Sequence, residues 1–118
     1  MKKIVLVEDE RYLVDIYLKK LTDENTQIFS SAFTEEAEKL IETEKPDLII
    51  LDILLPKEDG LTLLQRLRDK GNTTNVVILS NFEDNIFRQK AKLLDVKDYF
   101  LKTDYTPGQI VELIKKYL

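Results

Sequence analysis

The chain has 118 residues, 43% of them apolar and 34% charged, enough for one core but not two, which predicts a single domain over residues 1–118. No apolar run approaches the ~20 residues of a membrane-spanning helix, and the opening run is too short for a signal-peptide core, so a soluble cytoplasmic protein with no membrane partner is expected. The absence of cysteine and histidine excludes disulfides, thiolate zinc sites, catalytic triads and imidazole bases, so any metal must be held by oxygen; a net charge of -4 with scattered Lys and Arg argues against direct nucleic-acid binding.

The first element is signalled by Ile4-Val5-Leu6-Val7, a continuous apolar run ending on Glu8-Asp9-Glu10. It reads as a strand buried on both faces. From Arg11 to Leu21 the apolar residues Leu13, Ile16, Tyr17 and Leu21 recur at helical spacing, with Asp15, Lys19 and Lys20 elsewhere on the cylinder; this predicts a covering helix. Thr26 to Ser30 is short and mixed, which suits an edge strand. Thr34 is placed to cap a second helix with Glu35 and Glu36 in its first turn and Ala37, Leu40 and Ile41 on its buried face. Pro46 then opens a run through Leu48-Ile49-Ile50-Leu51-Asp52, closed by Pro56 and Gly60. This is the central buried strand, and Asp52 sits where it runs out.

Leu61, Leu64 and Leu67 mark a third helix, stopped by Lys70-Gly71-Asn72. Val76-Val77-Ile78-Leu79 is another buried strand, ending on Ser80; Asp84 to Leu94 forms a fourth helix, and Asp98-Tyr99-Phe100-Leu101 a short fifth strand ending on Lys102. Thr106-Pro107-Gly108-Gln109 matches a capping box with proline at the first helical position, and Ile110, Leu113, Ile114 and Tyr117 form the stripe of the last helix.

Five strands alternating with five helices, without a hairpin signal, demand right-handed crossovers and a parallel sheet covered on both faces. Strands one, three and four are the most apolar and belong in the middle, which gives a doubly wound α/β sheet of order 2-1-3-4-5. The switch point of that order lies between strands one and three, so Glu8, Asp9 and Asp52 should converge. Carboxylates so close stay ionised at neutral pH only beside a cation. A hard divalent ion, Mg²⁺ above all, suits the donors. Ser80 and Lys102 come from strand ends on the same rim, and a hydroxyl and an ammonium opposite a metal are what a phosphoryl group needs. Asp52 is then the nucleophile, because a carboxylate can accept a phosphoryl group as a mixed anhydride, with Lys102 and the metal offsetting the charge that spreads over it.

Glu8-Asp9, Asp52 with Leu55-Pro56 and Asp59-Gly60, Ser80, Tyr99 and Lys102, in that order and at these spacings, resemble the receiver domain of two-component response regulators across the whole chain. The resemblance implies a flavodoxin-like receiver fold and phosphorylation of Asp52 by a histidine kinase, a phosphotransfer protein of a phosphorelay, or a small phosphodonor. It implies that Mg²⁺ is held by Asp9, Asp52, the backbone carbonyl of Leu54 and, through water, Glu8. It implies that Ser80 and Tyr99 form the switch, and that the chain catalyses only its own phosphotransfer and dephosphorylation. The output face, for a homodimer or an effector, would be the fourth helix, fifth strand and fifth helix, with Phe87, Arg88, Tyr99, Tyr105 and Lys115.

Three stretches depart from the family's pattern. Thr103 follows Lys102 where a proline is usual; a cis bond to threonine would cost ~3 kcal/mol, so a trans bond is expected. Asn81 stands where a very small residue is usual, and Asp95-Val96 replaces the Gly-Ala that often ends the fourth helix. Rival readings are a Mg²⁺-dependent phosphohydrolase, which lacks its second carboxylate two residues after Asp52; a nucleotide or flavin module, which lacks a Gly-rich loop; and a degenerate receiver that acts by binding alone.

Overall fold

The computed structural model describes residues 1–81 and 83–118. Strands β1 (Lys2–Val7), β2 (Thr26–Ser31), β3 (Leu48–Asp52), β4 (Asn75–Ser80) and β5 (Asp98–Leu101) alternate with helices α1 (Arg11–Leu21), α2 (Thr34–Glu44), α3 (Gly60–Asp69), α4 (Asn85–Leu93) and α5 (Pro107–Ile114), and a short 3-10 turn at Lys115–Tyr117 follows. All strand pairs are parallel and the sheet order is β2-β1-β3-β4-β5. This is the order the apolarity of the strands predicts.

The two faces of the sheet explain the continuous apolar runs. Val5, Val7, Ile49, Leu51, Val76 and Ile78 point to one side, where they pack with Ala37 and Ile41 of α2, four leucines of α3 and Ala91 of α4. Ile4, Leu6, Leu48, Ile50, Val77 and Leu79 point to the other, against Leu13, Tyr17 and Leu21 of α1 and Ile110, Val111 and Ile114 of α5. Side chains alternate with period two, but both faces are dry, so alternation disappears from the sequence.

Thr34 does not cap α2. Phe33 holds the N-cap position without a side-chain bond, and the Thr34 hydroxyl instead donates to Glu58 Oε1 at 2.7 Å. Thr34 is the first residue of the helix, one position past the cap, and its hydroxyl bonds across to the loop instead. In α5 the capping box forms on both sides, Thr106 with Gln109, but Val111 is buried and Leu113 only partly so. Two helices end in the same way. After α3 the Asn72 amide donates to Leu67 O with Gly71 at φ 84°, and after α4 the Val96 amide donates to Ala91 O with Asp95 at φ 59°. The Asp95 turn therefore keeps a glycine-like shape with an aspartate in the left-handed position. No helix among the described residues is long and apolar enough to cross a membrane.

Candidate functional site

Register brings the strand ends level. Val7 pairs with Leu51, Asp52 with Leu79, and Ser80 with Leu101, so Glu8, Asp52, Ser80 and Lys102 end four adjacent strands on one rim. The Lys102 amide donates to Ser80 O at 2.7 Å, which fixes the step from β5 into the rim. One ligand oxygen each from Glu8, Asp9 and Asp52 lie within 4.8 Å of one another. Glu8 (2% exposed), Asp52 (3%) and Ser80 (1%) are buried, whereas Asp9 faces solvent. The cup is therefore dry at its base and open on the Asp9 side.

Lys102 is the cation of the cup. Its Nζ donates to Asp52 Oδ2 at 3.2 Å and lies 2.6 Å from Glu8 Oε1, although that second contact is an ion pair without good hydrogen-bond alignment. The other Glu8 oxygen accepts the Asp9 and Glu10 amides at 3.0 and 3.2 Å. These two bonds hold the β1–α1 turn, just ahead of α1, whose N-cap Glu10 makes no side-chain cap bond. Burial, and next the charge of Asp52, push the Glu8 carboxyl up to about 7, against the pull of Lys102. Burial raises Asp52 as well, with Lys102 opposing. For Lys102, burial works against the charged form, but Asp52 and Glu8 outweigh it and hold the ammonium protonated. One lysine thus leaves three carboxylates short of positive charge, and oxygen donors in that state fit a hard divalent cation.

The family comparison gives the domain class: the sequence profile described as the response regulator receiver domain matches residues 4–115. The chain belongs to the response regulator receiver domain family. It is 32% identical over 117 residues to the alkaline phosphatase synthesis transcriptional regulatory protein PhoP of Bacillus subtilis, covering 99% of this chain and 48% of that protein. The chain spans about half the length of the curated relatives it matches. Among solved structures it is similar to a LuxR-family DNA-binding response regulator from Staphylococcus aureus, with 31% identity, TM-score 0.83, and 99% and 98% of the two chains covered. It shares its fold with the chemotaxis protein CheY4 of Vibrio cholerae, at 19% identity, TM-score 0.87, and 100% and 99% coverage.

Against the usual receiver pattern, the departures resolve locally. No cis peptide bond occurs among the described residues, so the Lys102–Thr103 bond is trans, and Lys102 still reaches Asp52. The Asn81 amide donates to Glu10 Oε1 at 3.0 Å. Tyr99 is 9% exposed, packed in the core cluster with Phe87 and Ala91. The Arg88 guanidinium lies 4.4 Å from its ring centroid, and its hydroxyl is buried without a hydrogen-bond partner among the described residues. Leu54 lies on the loop beyond β3 with its side chain half exposed.

Sequence reasoning gave Gly60 only a place in a motif, whereas the receiver needs it sterically. A Cβ there would meet the Asp52 carbonyl oxygen at 2.1 Å, and the Gly60 amide donates to Ile53 O at 2.7 Å. The start of α3 is thereby pressed against the end of β3. Also missed is the clasp on the intervening loop, where Glu58 accepts Thr34 and both terminal nitrogens of Arg66. No local spacing signals it, because its partners lie on three different elements.

Proposed function

We propose that this receiver is a working phosphoacceptor, with Asp52 taking one phosphoryl group from a histidine kinase, a phosphotransfer protein or a small phosphodonor. The observation that carries this is the convergence of Glu8, Asp9, Asp52 and Lys102, with three ligand oxygens within 4.8 Å and the ammonium 3.2 Å from Asp52. Asp9, Asp52, the Leu54 carbonyl and Glu8 would hold Mg²⁺, which when bound supplies charge neutralisation for the transferred group. Asp52 offers an oxygen to phosphorus, Lys102 orients and neutralises, and the Ser80 hydroxyl at the end of β4 donates to the new oxygens. Phosphorylation adds about -1.5 to -2 charge and three acceptors, and Ser80 with Tyr99 passes the change to the α4, β5, α5 face. That face would meet a second copy or an effector. The chemistry is confined to the chain's own phosphorylation and dephosphorylation.

Incubation with Mg²⁺ and acetyl phosphate should add the mass of one phosphoryl group to the wild type and none to Asp52→Asn. Equal gain by both proteins, or none by the wild type, would end this reading. Turnover of external phosphoesters would favour a phosphohydrolase instead.

A further inference from the structure

Beside the cup, a polar contact ties the start of α1 to the loop after β4. Glu10, at the start of α1, sends its carboxylate across to the β4–α4 loop, where Oε1 accepts the Asn81 side-chain amide at 3.0 Å. The same oxygen lies 3.9 Å from Lys102 Nζ, the ammonium that is 3.2 Å from Asp52 Oδ2. Asn81, Glu10, Lys102 and Asp52 therefore form one continuous chain to the phosphoacceptor. Residues 10 and 81 do not otherwise belong to the acidic cluster, and the Glu10 side chain keeps 33% of its exposure, so it has room to leave.

We infer that the Glu10–Asn81 hydrogen bond is a clasp beside the cup that must open before a phosphodonor reaches Asp52, which makes both residues rate-setting for phosphorylation. The inference rests on the function proposed above. In transfer from acetyl phosphate, an Asp52 oxygen bonds to phosphorus as the donor's phosphorus–oxygen bond breaks, and that electron pair leaves on acetate. The donor's dianionic group needs the ammonium that Glu10 faces at 3.9 Å, so the Glu10 carboxylate competes with it for the same cation. A free glutamate would turn to water to avoid it. Asn81 holds the carboxylate in place, so the cost of opening is the cost of this bond.

The test is the initial rate of phosphoryl gain, followed by intact mass with saturating Mg²⁺ and acetyl phosphate, for wild type, Asn81→Gly, Glu10→Ala and the double variant. Each single variant should be about fivefold faster, the rate equivalent of ~1 kcal/mol for one net hydrogen bond. The double variant should match Glu10→Ala, because Asn81 acts only through the Glu10 carboxylate. A structural role for either residue would slow the reaction or lower the melting temperature without speeding it. Singles no faster than wild type, or effects that multiply in the double variant, overturn the clasp while leaving phosphorylation of Asp52 intact. A wild type that gains no phosphoryl group removes both proposals. Both sites are at least one-third exposed or on the loop surface, and one folded single variant suffices to decide.

Discussion

Glu8 is the residue on which a proton and the proposed Mg²⁺ would compete. Its carboxyl is raised from 4.5 to about 7, first by burial and then by Asp52. Without a divalent ion, the folded chain keeps a proton that the unfolded chain releases above pH ~4.5. That contribution to stability is complete below the unfolded value and is lost as pH rises through about 7. A bound cation reverses the preference, because it selects the ionised form. Mg²⁺ affinity measured by calorimetry at pH 6, 7 and 8 should therefore fall by up to about tenfold per unit below the Glu8 pKa. Glu8→Gln should bind more weakly and with a flatter profile. A wild-type affinity independent of pH over that range would mean that Glu8 does not face the ion.

At the scale of elements, the strands were legible because burial on both faces leaves uninterrupted apolar runs, and their order followed from which runs were most apolar. Their carboxyl ends then located the rim, and with it Glu8, Asp9, Asp52, Ser80 and Lys102. What stayed hidden depended on contacts between elements: Thr34 left its expected cap for Glu58, and Gly60 is fixed by a carbonyl oxygen of β3. The burial of Tyr99 could not be read either, since a four-residue strand with an intermediate first position gives no face to count. The end of α4 is a testable intermediate case. Asp95 holds the left-handed position that Gly71 holds after α3, at a cost glycine does not bear. Asp95→Gly should raise stability by about 0.5–1 kcal/mol in urea unfolding. A loss of stability would show that the Asp95 side chain holds the turn in some other way.

Across the whole molecule, the helices are not equally anchored, and the inequality suits a switch. α3 buries Gly60, Leu61, Leu63, Leu64 and Leu67, whereas α4 fully buries only Ala91, and its Ile86 and Leu93 stand 63% and 86% exposed. Elements with few buried apolar contacts open first and are the ones a local charge change can move. α4 follows directly from the rim that carries Ser80, and it rests on β5 through Phe87 and the Arg88 stack on Tyr99. The Tyr99 hydroxyl, buried without a partner among the described residues, holds this packing at a cost of about 1–3 kcal/mol, which leaves a second arrangement within reach. A phosphoryl group that draws the Ser80 hydroxyl toward Asp52 would then bias α4 and β5 and leave α2 and α3 in place. Hydrogen exchange with and without acetyl phosphate should change mainly in α4 and β5, and Tyr99→Ala should lose most of that change while still gaining the phosphoryl mass. Changes spread evenly over the sheet, or concentrated in α2 and α3, would place the output elsewhere than the α4, β5, α5 face.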